Sequence, residues 1–278
     1  MTAAAPQHKG HEPNPSAAPV QKVRLRYAKR GRLRFTSHRD VARALERALR
    51  RAGVPMAYSQ GFNPHPKVSW VGASPTGVAS EAEYVELALV RVLDPLVLAR
   101  ELDRALPPGL DVLDAVTAGP GSLPDRIEAS RWELRVDGVG LDELEAAVAV
   151  FLARDAVPVE RVVKSGRRDV DVRGPVVSLR VGAVPAVDGG SLPGCGILTA
   201  VVRQVSPTVR PDDVMSALRA VADLEPPTPV RATRVAQGPL DGDGQLGDPL
   251  APDRVAAPAG SGAPDDANPT SSEHLTST

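Results

Sequence analysis

The sequence predicts an α+β protein built from two tandem ferredoxin-like (split βαβ) units. Three observations carry that prediction. The element order β-α-β-β-α-β can be read twice along the chain. The strand segments alternate apolar and polar residues with period two, and the segments between them carry apolar residues at helical spacing. The length, 278 residues, suits two domains of ordinary size. The units are expected over residues 21–118 and 119–235, flanked by disordered segments over 1–20 and 236–278.

The first unit opens with "KVRLRYAK", where Val23, Leu25 and Tyr27 face inward and Lys22, Arg24 and Arg26 outward. "GRLRFTS" is expected to continue that alternation, with Leu33 and Phe35 inward and Arg32 and Arg34 outward. In "SHRDVARALERALRRAG", Ser37 and Asp40 have capping-box spacing. Val41, Leu45, Ala48, Leu49 and Ala52 form an apolar stripe, and Gly53 supplies the stop. "VPMAYSQ", "KVSWVG" and "EYVELALV" read as strands. "PLVLARELDRALPPG" reads as a helix and "LDVLDAVTA" as the closing strand. The second unit repeats the order. "SRWELRVDG", "VPVERVVKSG", "GPVVSLRVG", "ILTAVVRQV" and "TPVRATRVAQ" read as strands, while "LDELEAAVAVFLAR" and "RPDDVMSALRAV" read as helices.

The ends differ in composition. From residue 236 the chain carries six Pro, six Gly, seven acids and one basic residue, Arg254. Such a segment buries too little apolar surface to offset an ordering entropy of roughly 1–2 kcal/mol per residue. It is expected to be a solvating acidic tail; a sharper expectation is that it folds back on the basic part of the chain.

The overall net charge of −1 hides an uneven distribution. Residues 21–70 hold thirteen Lys and Arg against two acids, Asp40 and Glu46, a balance of +11; the remainder is −12. That asymmetry suggests a face for a polyanion. Six of the eight aromatics lie in or just after the same window. Aromatics among arginines suit unpaired bases, and equally suit the core of the first unit. Cys195 is the sole cysteine, which excludes a disulfide framework, a Cys-rich zinc site and an iron–sulfur cluster ligated within the chain. No apolar run reaches the roughly 20 residues of a membrane span, and the N-terminus lacks an apolar signal core. A cytoplasmic protein without membrane contact, cofactor or bound metal is expected.

On the first helix, Arg39, Arg43, Arg47 and Arg50 follow steps of four, four and three, which places them on one flank beside Arg51. Guanidiniums at one-turn spacing match successive phosphates and offer each a bidentate contact. Arg24, Arg26, Arg32 and Arg34 are expected to extend the patch. The plainer reading is a solvated amphipathic face. Next comes "YSQGFNPHPKVSW": Gly61 permits positive φ, while Pro64 and Pro66 restrict Asn63 and His65 before them. The loop is therefore stiff, and Tyr58, Gln60, Phe62, Asn63, His65 and Lys67 are candidates for RNA contact with the helix arginines and His38. Phe62 suits a base stack, Asn63 a base edge and Lys67 a phosphate. A rigid connection that plugs Phe62 into the core is the alternative. His38 and His65 offer a general acid–base pair for metal-independent RNA cleavage, although no spacing places them together. "VERVVKSGRRDVDVRG" adds a second, weaker basic segment, and Glu81, Glu83 and Glu86 are placed either to orient arginines or as surface polar groups.

"GRLRFTSHRDVARALERALRRAGVP", "YSQGFNPHPKVSW" and "PTGVASEAEYVELAL" together resemble an uncharacterised family of radical-SAM-associated proteins, a domain of unknown function. The resemblance is strongest over residues 22–90 and extends with looser motifs to about 235. Members are free-standing or form the C-terminal part of a radical S-adenosylmethionine enzyme. The resemblance implies such an enzyme as a partner in trans, because the cluster cysteines are not in this chain. It assigns no catalytic residue. Arg39 departs from the apolar residue expected there. Tandem ferredoxin-like units also resemble RNA-binding and RNA-processing proteins of CRISPR systems, by fold grammar alone. The leading expectation is a non-catalytic RNA-binding companion of a radical SAM enzyme. Docking to an acidic protein surface is the alternative, and an RNA-processing enzyme the third reading.

Overall fold

Strand β1 (Gln21–Lys29) lies inside the sheet, between β3 (Ala79–Leu89) and β4 (Leu110–Thr117), and is antiparallel to both. Its apolar face, Val23, Leu25 and Tyr27, packs beneath α1 (His38–Arg51) and α2 (Pro95–Ala105). The computed structural model describes residues 17–60, 62–163, 166–185 and 191–256. Helix α1 contributes Val41, Ala44, Leu45, Ala48 and Leu49 to that core, and α2 contributes Leu98 and Leu102. Asp94 caps α2 by accepting from the backbone N–H groups of Leu96 and Val97, so the helix starts at Pro95, where a missing donor costs nothing.

The second half is built alike. β5 (Ala129–Asp137) alternates buried and accessible residues, sending Trp132, Leu134 and Val136 toward α3 (Leu141–Leu152) and α4 (Pro211–Ala222). β8 (Val176–Pro185) and β9 (Ser191–Arg203) form a long antiparallel pair, and β9 lies against β5. β10 (Arg231–Gly238) lies on the other side of β5. Between α3 and β8, β6 (Pro158–Val163) and β7 (Gly166–Asp171) make a separate two-stranded sheet.

The halves share one mixed sheet, eight strands among the described residues, in the order β4-β1-β3-β10-β5-β9-β8, with β2 (Val68–Val71) also paired to β3. The join is short: β3 and β10 run parallel, with Thr233 opposite Ala79 and Arg234 opposite Ser80. With five α-helices among the described residues, the protein is a mixed α+β fold. None of these helices is long and apolar enough to cross a membrane.

Three expectations are corrected. Residues 31–35 form a 3₁₀ helix and not a strand, and Phe35 is 67% exposed. Gly31 at φ +54° turns the chain away from β1, and Leu33 N–H closes the turn on the Arg30 carbonyl. Residues 54–60 contribute single bridges, Met56 with Leu89 and Tyr58 with Pro66, in place of a continuous strand. The third concerns the boundary at residue 236. Beyond it, β10 ends at Gly238, Leu240 bridges Leu246, and α5 (Ala251–Ala256) follows. Leu250 is fully buried with Tyr84, Val116, Leu123 and Ile127 on the face of the sheet opposite α1 and α2. Composition measures a segment's own apolar content and misses burial against a partner. Residues 1–16 and 257–278, which complete the two predicted tails, lie outside the described residues.

Candidate nucleic-acid interface

Helix α1 begins as its sequence requires. The Ser37 hydroxyl accepts from the Asp40 backbone N–H at 3.2 Å and donates to the Asp40 carboxylate at 2.7 Å. The apolar stripe then faces the sheet, which leaves Arg39, Arg43, Arg47 and Arg50 exposed on the other side. Arg43 has one loose partner, Asp40 at 3.8 Å, and both groups are solvated, so the pair contributes little. Among the described residues, Arg39, Arg47 and Arg50 have no ion pair. Arg51 donates to the carbonyl of Ala105 at 3.1 Å, linking α1 to the end of α2. Arg32 is exposed just before the helix.

The other predicted cations do not join this patch. Arg24 is 2% exposed: its guanidinium bonds Glu86, both carboxylate oxygens of Asp253 and the Gly121 carbonyl. Burial works against the charge of Arg24, but these carboxylates outweigh it and hold the guanidinium more firmly protonated than usual. Arg26 is half-buried beside Tyr84, and its Nε is buried without a hydrogen-bond partner among the described residues. Burial raises the Tyr84 hydroxyl to about 12, with Arg26 pulling the other way. Arg34 donates to the carbonyls of Gly77 (2.7 Å) and Ala232 (3.5 Å). Period-two alternation assigned Arg24 and Arg26 to the correct face, but residues 119–128 and 240–256 cover that face.

The loop from 58 to 67 is pinned at its base. Ser59 N–H donates to the His65 carbonyl (2.8 Å), His65 N–H to the Ser59 hydroxyl (3.0 Å), and Lys67 N–H to the Ala57 carbonyl (2.7 Å). Above these bonds Gln60, Phe62, Asn63, Pro64 and His65 are exposed, Phe62 by 86%, while Tyr58 is 37% exposed; Gly61 lies outside the described residues. Phe62 does not plug the core. Lys67 is exposed where the loop returns toward β2. The loop and helix are tied by their neighbours: the His38 ring meets Trp70 of β2 edge-on at 4.9 Å, and Tyr27 meets the same indole at 6.3 Å. His38 is thus a packing contact of the helix start. No contact joins its imidazole to His65 among the described residues.

The three glutamates of β3 all neutralise arginines. Glu81 pairs with Arg30, Glu83 with Arg234 on β10, and Glu86 with Lys22 and Arg24. Glu83 sits at the seam between the halves, where it also accepts from Ser74 N–H at 3.0 Å. Burial favours its neutral form, but the Arg234 charge, with bonds from Ser80, Ser74 and Arg234, brings the carboxyl below its ordinary range. Lys29, 3% exposed, lies nearby and donates to the carbonyls of Ser74 and Pro75. Burial, then the like charges of Arg234 and Arg34, lower its pKa against the pull of Glu83. Sequence reading left this seam unseen because its members come from β1, the 3₁₀ turn, β3 and β10, with no common spacing.

The chain belongs to the family described as uncharacterized protein conserved in bacteria (DUF2344), whose model matches residues 22–211. No curated protein matches it. Among solved structures it is similar to an unknown protein from Galdieria sulphuraria, at 17% identity and TM-score 0.21, over 77% of this chain and 98% of that one. It is also similar to the first two RRM domains of the yeast poly(U)-binding protein, at 11% identity and TM-score 0.19, over 77% and 98%. A third likeness is to the encapsulated DyP-type peroxidase from Mycobacterium smegmatis, at 11% identity and TM-score 0.21, over 81% and 94%. At these scores the three likenesses carry no argument.

Proposed function

We propose that this family member is a non-catalytic protein of the cytoplasm that binds single-stranded RNA. The outer flank of α1 holds phosphates, and the loop over 58–67 contacts an unpaired base. One observation carries the reading: Arg39, Arg47 and Arg50 are exposed at helical spacing without a carboxylate partner among the described residues. Cations left unneutralised on one flank are free to exchange their counterions for phosphates. The loop adds an exposed aromatic on a backbone already restricted by two prolines and three hydrogen bonds, so little entropy remains to be lost on binding. Arg24, Arg26 and Arg34 are not part of this site.

The fold supports the same reading only as a scaffold. We read the pairings β4-β1-β3-β2 and β10-β5-β9-β8, each with two helices packed on one face, as two split βαβ units in tandem. The resemblance to radical-SAM-associated proteins adds a partner. The binding protein presents its RNA to a radical SAM enzyme, whose cluster cysteines residues 1–278 do not supply, Cys195 being the sole cysteine among them.

A specific observation favours a second reading, docking to an acidic protein surface. Val92, Leu96 and Val97 are exposed by 74, 63 and 45% around the start of α2, the helix beside α1. Exposed apolar groups suit a protein partner better than a nucleic acid. One experiment separates the two. A defined single-stranded RNA is titrated into wild type and into a variant with Arg43→Gln, Arg47→Gln and Arg50→Gln, at two salt concentrations. Salt-dependent binding that the folded variant loses supports RNA. Equal, weak binding by both proteins rejects the RNA site and favours the docking reading.

A further inference from the structure

Beside the seam, on the helix-covered side of the sheet, lies a cavity of about 380 Å³. Its walls come from both halves: the turn after β2 at residues 72–75 on one side, and β5, the end of β9 and the start of α4 on the other. The polar groups that line it are Ser130, Arg203, Gln204, Thr208, Arg210 and Arg234, and no carboxylate is among them. Arg203 and Arg210 are exposed at the mouth, with no ion pair among the described residues. Arg234 is 4% exposed and lies 5.5 Å from the centroid of the Trp132 ring, which also lines the cavity.

The charge behind the wall is also unbalanced. Lys29, Arg34 and Arg234 surround one carboxylate, Glu83. Lys29 donates to the carbonyl of Pro75, a lining residue, so this cluster is separated from the cavity by a single turn of chain. Buried cations are ordinarily matched by anions or by further hydrogen bonds. Here Lys29, which is buried, and Arg34, which is half-buried, bond only carbonyls and pair with no carboxylate among the described residues, and the two arginines at the mouth line the same space. The first turn of α4 carries Asp212 and Asp213, so the helix end itself offers an anion no net positive charge.

We infer that this cavity is an anion site for a phosphate monoester of mononucleotide size, distinct from the α1 flank. Arg203 and Arg210 grip the phosphate as paired bidentate donors, with Arg234, Ser130 and Gln204 below them. The volume falls within the roughly 300–1,000 Å³ of small-molecule sites and exceeds the needs of a bare phosphate. Two sources carry that group: a free nucleotide and the 5′ end of an RNA strand.

The test is calorimetric titration of the full chain with four probes. These are adenosine 5′-monophosphate, adenosine, a short oligoribonucleotide with a 5′-phosphate, and the same oligomer with a 5′-hydroxyl. Phosphorylated probes are expected to bind more tightly than their unphosphorylated counterparts. Binding of the monophosphate identifies a nucleotide site; preference for the phosphorylated oligomer alone identifies a strand end. The Arg203→Gln, Arg210→Gln variant should weaken adenosine 5′-monophosphate, or the oligomer's preference for a 5′-phosphate over a 5′-hydroxyl, roughly tenfold or more, and the α1 triple variant should leave both of these unchanged while lowering the affinity of the two oligomers alike. Both changed arginines are exposed, so melting temperature should move little. Equal affinity for phosphorylated and unphosphorylated probes, or no effect of the Arg203 and Arg210 changes, overturns the site. Loss on the α1 variant alone assigns the binding to the other face and also overturns it.

Discussion

Arg24 and Asp253 lie 229 residues apart in sequence, yet Nη1 of the arginine reaches both carboxylate oxygens, at 2.7 and 3.0 Å, with both side chains almost fully buried. Arg126 donates to the same carboxylate at 2.9 Å, and Gly119 N–H does so at 2.9 Å. Asp253 is the buried anchor through which α5 is held on the sheet. Replacing it with Ala leaves two guanidiniums short of a counter-ion in a closed site. Arg24 keeps Glu86, so the expected loss is near the lower end for a broken buried pair, about 3 kcal/mol. Urea denaturation of wild type and Asp253→Ala measures it; an unchanged midpoint would mean that α5 is not docked in solution.

The same carboxylates set the acid limit of the fold. Burial pushes Asp253 and Glu86 toward the neutral form. Hydrogen bonds from Arg126 and Arg24 to the first, and from Lys22 and Arg24 to the second, overcome it and hold both pKa values below ordinary. A carboxyl with a folded pKa below its unfolded one adds stability above the unfolded value, roughly pH 4, and loses it as pH falls through the folded value. Stability should therefore decline below about pH 4, and Asp253→Asn should flatten that decline while lowering stability at neutral pH. Equilibrium unfolding at pH 3 to 7 reads both effects; parallel pH profiles for the two proteins would rule out Asp253 as a contributor.

The hairpin that leads to α5 depends on a close backbone approach. A Cβ added to Gly238 would stand 2.2 Å from the carbonyl oxygen of Gly247, whose own N–H donates to Pro239 at 2.9 Å. Neither backbone can yield without parting the turn. Gly238→Ala is expected to cost about 1–3 kcal/mol, and to raise hydrogen exchange through residues 239–256. Gly242→Ala, where a Cβ meets nothing within 4 Å, is the control and should change neither measurement.

Local periodicity made α1, α2 and the faces of β1 and β5 legible, because each is set by spacing along its own segment. It failed where a distant segment supplies the partner. Arg24 has the pattern of an outward residue, but Asp253 and Leu250 lie over it. Leu33 and Phe35 alternate like a strand, but Gly31 turns them out of the sheet before any pairing forms. In the candidate site, the exposed arginines of α1 and the exposed loop were readable. The Lys29–Glu83–Arg234 seam was not, because only the β3–β10 join brings those residues together.

The proposed RNA site makes two separable contributions, and their salt dependence distinguishes them. Each phosphate held on a single strand changes the log–log dependence of affinity on salt by roughly −0.7. Changing Arg43, Arg47 and Arg50 to Gln should therefore reduce the slope by about 2, with most of the lost affinity appearing at low salt. Phe62 carries no charge and is 86% exposed on the loop. If it stacks a base, Phe62→Ala should weaken binding by about 1–3 kcal/mol at every salt concentration and leave the slope unaltered. Fluorescence anisotropy with a labelled single strand at four salt concentrations gives both quantities, and melting temperature controls for folding. A flat offset for Phe62→Ala beside a changed slope for the arginine variant fits a strand gripped by α1 and read by the loop. An offset of zero would remove the loop from the interface while leaving the helix in it. An unchanged slope in the arginine variant would reject the helix as the phosphate-binding face.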